Sequence, residues 1–159
     1  MTVCTFAGHR EVFLSSVSQD IDHTLSELVQ SEDDYVFYSG GKGDFDFMCE
    51  AAVRRLKKRC PHLNIQLNLV LPYMTNQINR DKEYYEERFD DIIIPMELMG
   101  VHHNAIRLPR NAIKKRNRWM VDRSDVVLSY IYRDFGGAFD TVNYALRQGK
   151  RVLNLAKMD

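Results

Sequence analysis

The chain has 159 residues, with 22 Lys plus Arg against 22 Asp plus Glu. It is long enough to bury a real core as one domain, 1–159, and its zero net charge gives no global attraction for a polyanion, so nucleic acid is not an expected partner. The widely spaced Cys4, Cys49 and Cys60 exclude a disulfide framework and supply no CxxC metal pair; with no signal-peptide pattern and no apolar run of membrane-spanning length, a cytoplasmic protein with reduced thiols and no membrane contact is expected.

Val3 to Ala7 is a short apolar run closed by Gly8-His9-Arg10, which predicts a buried strand ending in a loop. Ser15 to Val29 carries Val17, Ile21, Leu25, Leu28 and Val29 at helical spacing behind serines able to cap it. Tyr35 to Tyr38 is a second strand, followed by Gly40-Gly41. A second helix, Phe45 to Arg59, has an apolar face through Cys49, Ala52, Val53 and Leu56 and a basic face from Arg54 to Arg59; Pro61 stops it. Asn64 to Leu71 is a third strand ended by Pro72. Tyr73 to Asn79 reads as loop, Arg80 to Phe89 as a peripheral helix, Asp91 to Ile94 as a short strand, and Glu97 to Pro109, which has no clear period, as including loop. Asn111 to Arg123 is a helix and Asp125 to Ile131 a fifth strand. After Gly136-Gly137 comes a helix from Phe139 to Gln148 with Gly149 at its end, then a last strand from Arg151 to Leu155.

Strands of near-continuous apolar character alternating with helices predict an α/β fold: three layers, Rossmann-like, with a mostly parallel sheet covered on both faces. In such sheets ligands sit beyond the carboxyl ends of the strands, where strand order reverses. Gly8-His9-Arg10, Gly40-Gly41, Pro72-Tyr73 and Gly136-Gly137 all follow strand ends and would converge on that edge. Two strand–diglycine–helix units let backbone approach a ligand closely, and the helix N-termini suit phosphate. The first, Gly40-Gly41-Lys42-Gly43, has neither Walker nor GxGxxG spacing. Asp44, Asp46 and Asp140 open the two helices, where carboxylates serve as caps; for Asp46, capping and acceptance of ribose hydroxyls are both open. Arg10 is the leading cation for a phosphate, ahead of Lys42, Arg118 and Arg123. Ser39 and Thr141 flank the turns as phosphate donors or helix caps, His9 is a base or a plain hydrogen-bonding group, and Tyr73 and Tyr130 either stack on a base or pack at the sheet edge. The basic face from Arg54 to Arg59 lacks interleaved aromatics and reads as solvated. His102-His103 lacks a third ligand; no metal and no cofactor is expected.

Ser39-Gly40-Gly41-x-Gly43-x-Phe45-Asp46, Leu71-Pro72-Tyr73, Arg116-Asn117-x-x-Met120-Val121-Asp122-x-Ser124-Asp125 and Gly136-Gly137-x-x-x-Thr141-x-x-Tyr144-Ala145 together resemble the SLOG superfamily, and more narrowly its small, single-domain bacterial YpsA-type branch. The resemblance spans almost the whole chain. It implies a Rossmann-like fold and a nucleotide-type ligand site at the glycine turns, comprising Gly8, His9, Arg10, Ser39, Gly40, Gly41, Gly43, Asp46, Pro72, Tyr73, Arg116, Asn117, Gly136, Gly137 and Thr141. A homodimer, with Trp119 a candidate interface residue, is also implied. Relatives include LOG enzymes, which cleave nucleoside monophosphates, and DprA-type single-strand DNA binders. The LOG turn is Pro-Gly-Gly-x-Gly-Thr-x-x-Glu, with a catalytic glutamate. Here Phe135 replaces the proline, an extra residue separates Gly137 from Thr141, and Tyr144 stands where the glutamate falls; a tyrosine of reference pKa about 10 is no carboxylate base at neutral pH.

The expected function is therefore binding or sensing of a nucleotide or nucleotide-derived ligand. The first alternative is a LOG-like hydrolase of a nucleotide N-glycosidic bond, with Asp46 or Glu50, four apart on one helix face, as the catalytic carboxylate. The second is a DprA-like module associated with single-stranded DNA.

Overall fold

A computed structural model describes residues 1–98 and 111–156. Six strands, β1 (Thr2–Gly8), β2 (Asp34–Ser39), β3 (Asn64–Val70), β4 (Asp91–Ile93), β5 (Val126–Tyr130) and β6 (Arg151–Asn154), form one sheet in the order β4-β3-β2-β1-β5-β6. Every pairing is parallel, so the α/β, Rossmann-like architecture is as expected. β1 lies centrally because it is apolar toward both faces. Cys4 and Phe6 enter one core with Tyr35, Phe37 and Leu128, while Ala7 enters a second with Val127 and Ile131.

The first face is covered by α1 (Val17–Leu28) and α2 (Asp44–Arg59). Ile21 and Leu25 of α1 and Phe45, Cys49, Ala52, Val53 and Leu56 of α2 are all essentially inaccessible within the first core; the two buried thiols behave as small hydrophobes, and burial pushes that of Cys4 up to about 12. The second face is covered by α5 (Ala112–Asp122) and α6 (Gly137–Arg147), through Val121, Val142 and Ala145. The basic face of α2 is partly knitted to its neighbours: Arg55 pairs with Asp22 of α1 at 2.9 Å and Lys57 with Asp90 at 2.7 Å.

Local differences from expectation have simple causes. The segment read as loop and then one helix is two short helices, α3 (Asn76–Arg80) and α4 (Lys82–Arg88), broken at Asp81. Ile78 and Tyr85 pack against the core, which polar neighbours in sequence conceal. The serine start of α1 makes no side-chain cap; Ser16 is itself helical and receives Gln19 and Asp20 N–H on its carbonyl instead. The N-caps of α2 and α6 are Gly43 and Gly136, neither with a side-chain cap, so Asp44, Asp46 and Asp140 lie inside their helices. His102 and His103 lie outside the described residues, as does most of the segment from Glu97 to Pro109. Among the described residues no helix is long and apolar enough to cross a membrane.

Candidate functional site

Strand order reverses between β1 and β5. The chain leaves β1 toward β2, β3 and β4, then returns to pair β5 on the other side of β1. Loops diverging from that pair leave a crevice. A cavity of about 210 Å³ lies there, lined by the loop after β1, by Gly40, Lys42 and Asp46 from the turn into α2, by Arg116 and Asn117 of α5, and by Arg133, Gly136, Gly137 and Thr141 at the turn into α6. The two glycine turns therefore meet at one cavity.

Close packing explains the glycines on the first side. A Cβ on Gly8 would stand 2.3 Å from the Phe45 ring, and one on Gly43, whose φ is +89°, 2.6 Å from the Arg10 backbone. The β1 loop is pinned to the start of α2 in this way: Asp44 N–H donates to the Arg10 carbonyl at 2.7 Å, and the Asp44 carboxylate accepts Val12 N–H at 3.1 Å. On the other side a Cβ on Gly136 or Gly137 would meet nothing within 4 Å among the described residues. The N-terminus of α6, with no side-chain cap, thus keeps room beside its first N–H groups, whereas one of those of α2 is already taken by Arg10. This makes α6 the better seat for an anion.

The polar groups divide into those that hold the walls and those that face the cavity. Arg116, only 2% exposed, donates from Nη1 to the carbonyls of Gly40 (3.2 Å) and Val70 (3.1 Å) and from Nε to Asn117 Oδ1 (2.9 Å). It ties α5 to the ends of β2 and β3 and spends those donors internally. Asp46, 7% exposed, accepts Lys42 N–H at 3.0 Å. Burial raises its carboxyl to about 7, aided by the nearby Glu50 and opposed by the Lys42 N–H bond and the Arg116 charge. His9 is buried beside the Tyr132 ring, centroids 4.5 Å apart, and its Nε2 has no partner among the described residues; burial, then the Arg133 charge, depress its pKa, so at neutral pH it is uncharged. Arg133 also has an orphaned buried Nε. Arg10 and Lys42 are exposed at the cavity edge. Thr141 lines the cavity while donating from Oγ1 to the Gly137 carbonyl at 2.8 Å, a bond within its own helix.

The remaining anticipated residues lie elsewhere. Gly41, Gly43, Pro72 and Tyr73 line a second, larger cavity of about 680 Å³ beyond the first glycine loop; Gly40 and Lys42 line both. Ser39 lines neither, being wholly buried, donating to Glu50 Oε2 and accepting Gly41 N–H at 3.1 Å. Asp46 and Glu50, expected to act as alternatives on one helix face, open into different cavities: Asp46 into the first, Glu50 into the second. Arg118 lies over the Tyr144 ring and lines a neighbouring cavity with Asn117, Gly137 and Thr141, while Arg123 lies over Trp119; neither lines the first cavity. Tyr130 is buried and stacked on Phe45, so it packs the sheet edge. Tyr144 donates to Asp122 at 2.6 Å, a bond that raises its already high pKa. Arg133 is the residue that sequence reasoning misses; its one signal is a basic side chain between a strand end and a glycine turn. No group of three or more His, Cys, Asp or Glu able to hold a metal occurs among the described residues.

Neither a protein-family model nor a curated relative matches the sequence. Solved structures do. DNA processing protein A (DprA) from Streptococcus pneumoniae superposes with a TM-score of 0.64 at 13% identity, over 95% of this chain and 49% of its own. The chain has the fold of DprA. DprA from Helicobacter pylori, whose structure concerns its single-stranded DNA binding mode, gives 0.62 at 16% identity, over 99% of this chain and 68% of its own. This chain thus spans about half the length of the first of these. The likeness supports the SLOG resemblance at the level of the Rossmann-like fold. It also overturns the expectation against nucleic acid, because a DprA that shares the fold over nearly the whole chain binds single-stranded DNA. Zero net charge was a poor guide: it sums the entire surface, whereas a phosphate responds to the few charges beside it.

Proposed function

We propose that this chain, as a single domain of the YpsA-type branch, binds a nucleotide or nucleotide-derived ligand at the β1–β5 switch point. The observation that carries this reading is the meeting of both glycine turns at one cavity edged by Arg10, Lys42 and Arg133. The open N-terminus of α6 and these cations suit the phosphate, and Asp46 suits a sugar hydroxyl, which a carboxyl group accepts without the repulsion a phosphate would meet there. Reversible binding suits this chemistry better than turnover, since Asp46 stands without a second carboxylate in the cavity and Tyr144 is bonded to Asp122. A thermal-shift panel of nucleoside mono- and diphosphates, NAD and ADP-ribose tests the reading: at least one raises the melting temperature in a concentration-dependent way. Silence from folded protein across the panel overturns it. Incubation of the same nucleotides followed by chromatography shows no free base; release that disappears in Asp46→Asn would instead favour the glycosidic hydrolase.

A second reading, single-stranded DNA, is favoured by the fold shared with DprA. The same cavity then takes one nucleotide of the strand. An oligonucleotide that competes with the mononucleotide supports it, and oligonucleotide binding indifferent to mononucleotide places DNA elsewhere on the surface.

A further inference from the structure

The switch-point cavity, at about 210 Å³, falls below the roughly 300–1,000 Å³ of pockets that bury a whole small ligand. It has room for a sugar phosphate and not for the base as well. Across the Gly40–Gly43 loop lies the 680 Å³ cavity, and it has the opposite character. Its floor is Leu69 and Leu71 at the end of β3, and its walls include Phe47, Tyr73, Tyr84 and Tyr85. Phe47 and Tyr84 are more than half exposed, an unusual position for large aromatic rings. Two acidic residues line this aromatic space: Asp81, exposed to solvent, and Glu50, 5% exposed, whose one hydrogen bond among the described residues is from Ser39 to Oε2. Burial raises its pKa and the Ser39 bond partly offsets that, as expected of a carboxyl group short of donors.

Resting on the nucleotide reading above, we infer that this second cavity receives the planar base of the ligand, and that Glu50 selects a base whose edge offers adjacent N–H donors, as guanine does. The aromatic walls supply stacking, which any base accepts. A carboxylate has acceptors only, so it complements N1–H and the exocyclic amine of guanine, one donor of hypoxanthine, and poorly matches the donor–acceptor edge of adenine. Gly40 and Lys42 form the partition, so a ligand held in both cavities passes over the exposed Lys42 side chain.

Calorimetric titration with guanosine, inosine, adenosine and ribose 5-phosphate tests this. The expected order is guanosine, then inosine, then adenosine, with guanosine tenfold or more above adenosine, the scale of a hydrogen bond to a charged group. Glu50→Gln keeps an oxygen for Ser39 while placing an amide in the cavity, and it should bring guanosine to within about threefold of adenosine. Tyr84→Ala, an exposed change that spares the core, should weaken all three nucleosides alike and leave ribose 5-phosphate unaffected. Ribose 5-phosphate binding without any nucleoside binding overturns the inference while the sugar-phosphate reading stands. A guanosine preference that survives Glu50→Gln overturns it as well. Binding of no probe at all counts against both.

Discussion

Asp46 shows what a single buried group can be asked to do. Its carboxyl is raised to about 7 in the folded chain, mainly by burial, against about 3.9 when unfolded. The folded state therefore holds the proton more tightly. Below about pH 4 both states are protonated and the group contributes nothing; between about 4 and 7 the unfolded chain ionises first and stability falls; above 7 the cost is constant, on the order of a few kcal/mol. Asp46→Asn retains an oxygen for Lys42 N–H and removes the ionisation. Urea unfolding should find the variant equal to the parent near pH 4 and more stable at pH 8, with a shallower decline between, because Glu50, also raised by burial, still titrates. A parent whose stability does not decline from pH 4 to 7 would mean that Asp46 is ionised throughout. A sugar hydroxyl donating to Asp46 favours the carboxylate, so ligand binding near pH 7 should release protons, which calorimetry in buffers of different ionisation enthalpy detects. The position of this residue was legible in the sequence as an acidic residue at the start of α2, but its burial was not. Burial comes from α5 and the β1 loop closing over it, contacts between segments far apart in the chain. Arg133 was hidden for the same reason, and so was the burial of His9, itself named from the sequence: their orphaned nitrogens depend on the β1 and β5 ends being neighbours.

Among the elements, α5 carries more of the site's architecture than its modest apolar face suggests. Its Arg116 reaches across to the carbonyls of Gly40 and Val70, the first within the glycine loop and the second at the end of β3. Gly40 leaves little space there, since a Cβ would lie 3.0 Å from the guanidinium carbon and would push it by a few tenths of an ångström. Arg116→Ala strips two buried carbonyls of their donor and should cost roughly 2–4 kcal/mol, read from chemical denaturation. Arg116→Lys keeps the charge and loses the fork, so it should fall between. A variant as stable as the parent would show that water replaces the guanidinium. The sequence resemblance marks Arg116 as a ligand residue; the structure shows most of its donors committed to the walls. Strands and long helices were readable because their apolar periods are strong. The α3–α4 pair was not, because its helices are short and each offers the core little more than Ile78 or Tyr85. The start of α6 was read two residues late because two glycines at its head, poor helix formers, obscure the first turn.

At the scale of the whole molecule the open question is how a neutral protein with the fold of DprA would engage a polyanion. The charges are balanced, 22 against 22, and much of the basic face of α2 is paired with acidic neighbours or bonded to side chains of α1. Arg116 is buried in the walls, Arg123 lies on Trp119, and Arg118 lies on Tyr144 in the neighbouring cavity beside the head of α6. Among the described residues, the remaining cations that line that cavity are Arg10, Lys42 and Arg133. On single strands each neutralised phosphate contributes about −0.7 to the slope of log affinity against log salt, so contacts with these three alone give a slope near −2. If a strand enters the cavity one nucleotide at a time, oligonucleotides of increasing length should gain little affinity once three phosphates are present. The slope should stay between about −0.7 and −2, and Arg10→Ala should reduce it by about 0.7. A steeper slope, or affinity that climbs steadily with length, would require a basic track these three residues do not provide, and the strand would then have to follow a path away from the switch point. A mononucleotide that binds with the same slope as a long oligonucleotide would show that the cavity recognises the nucleotide unit itself and that chain length is immaterial to it.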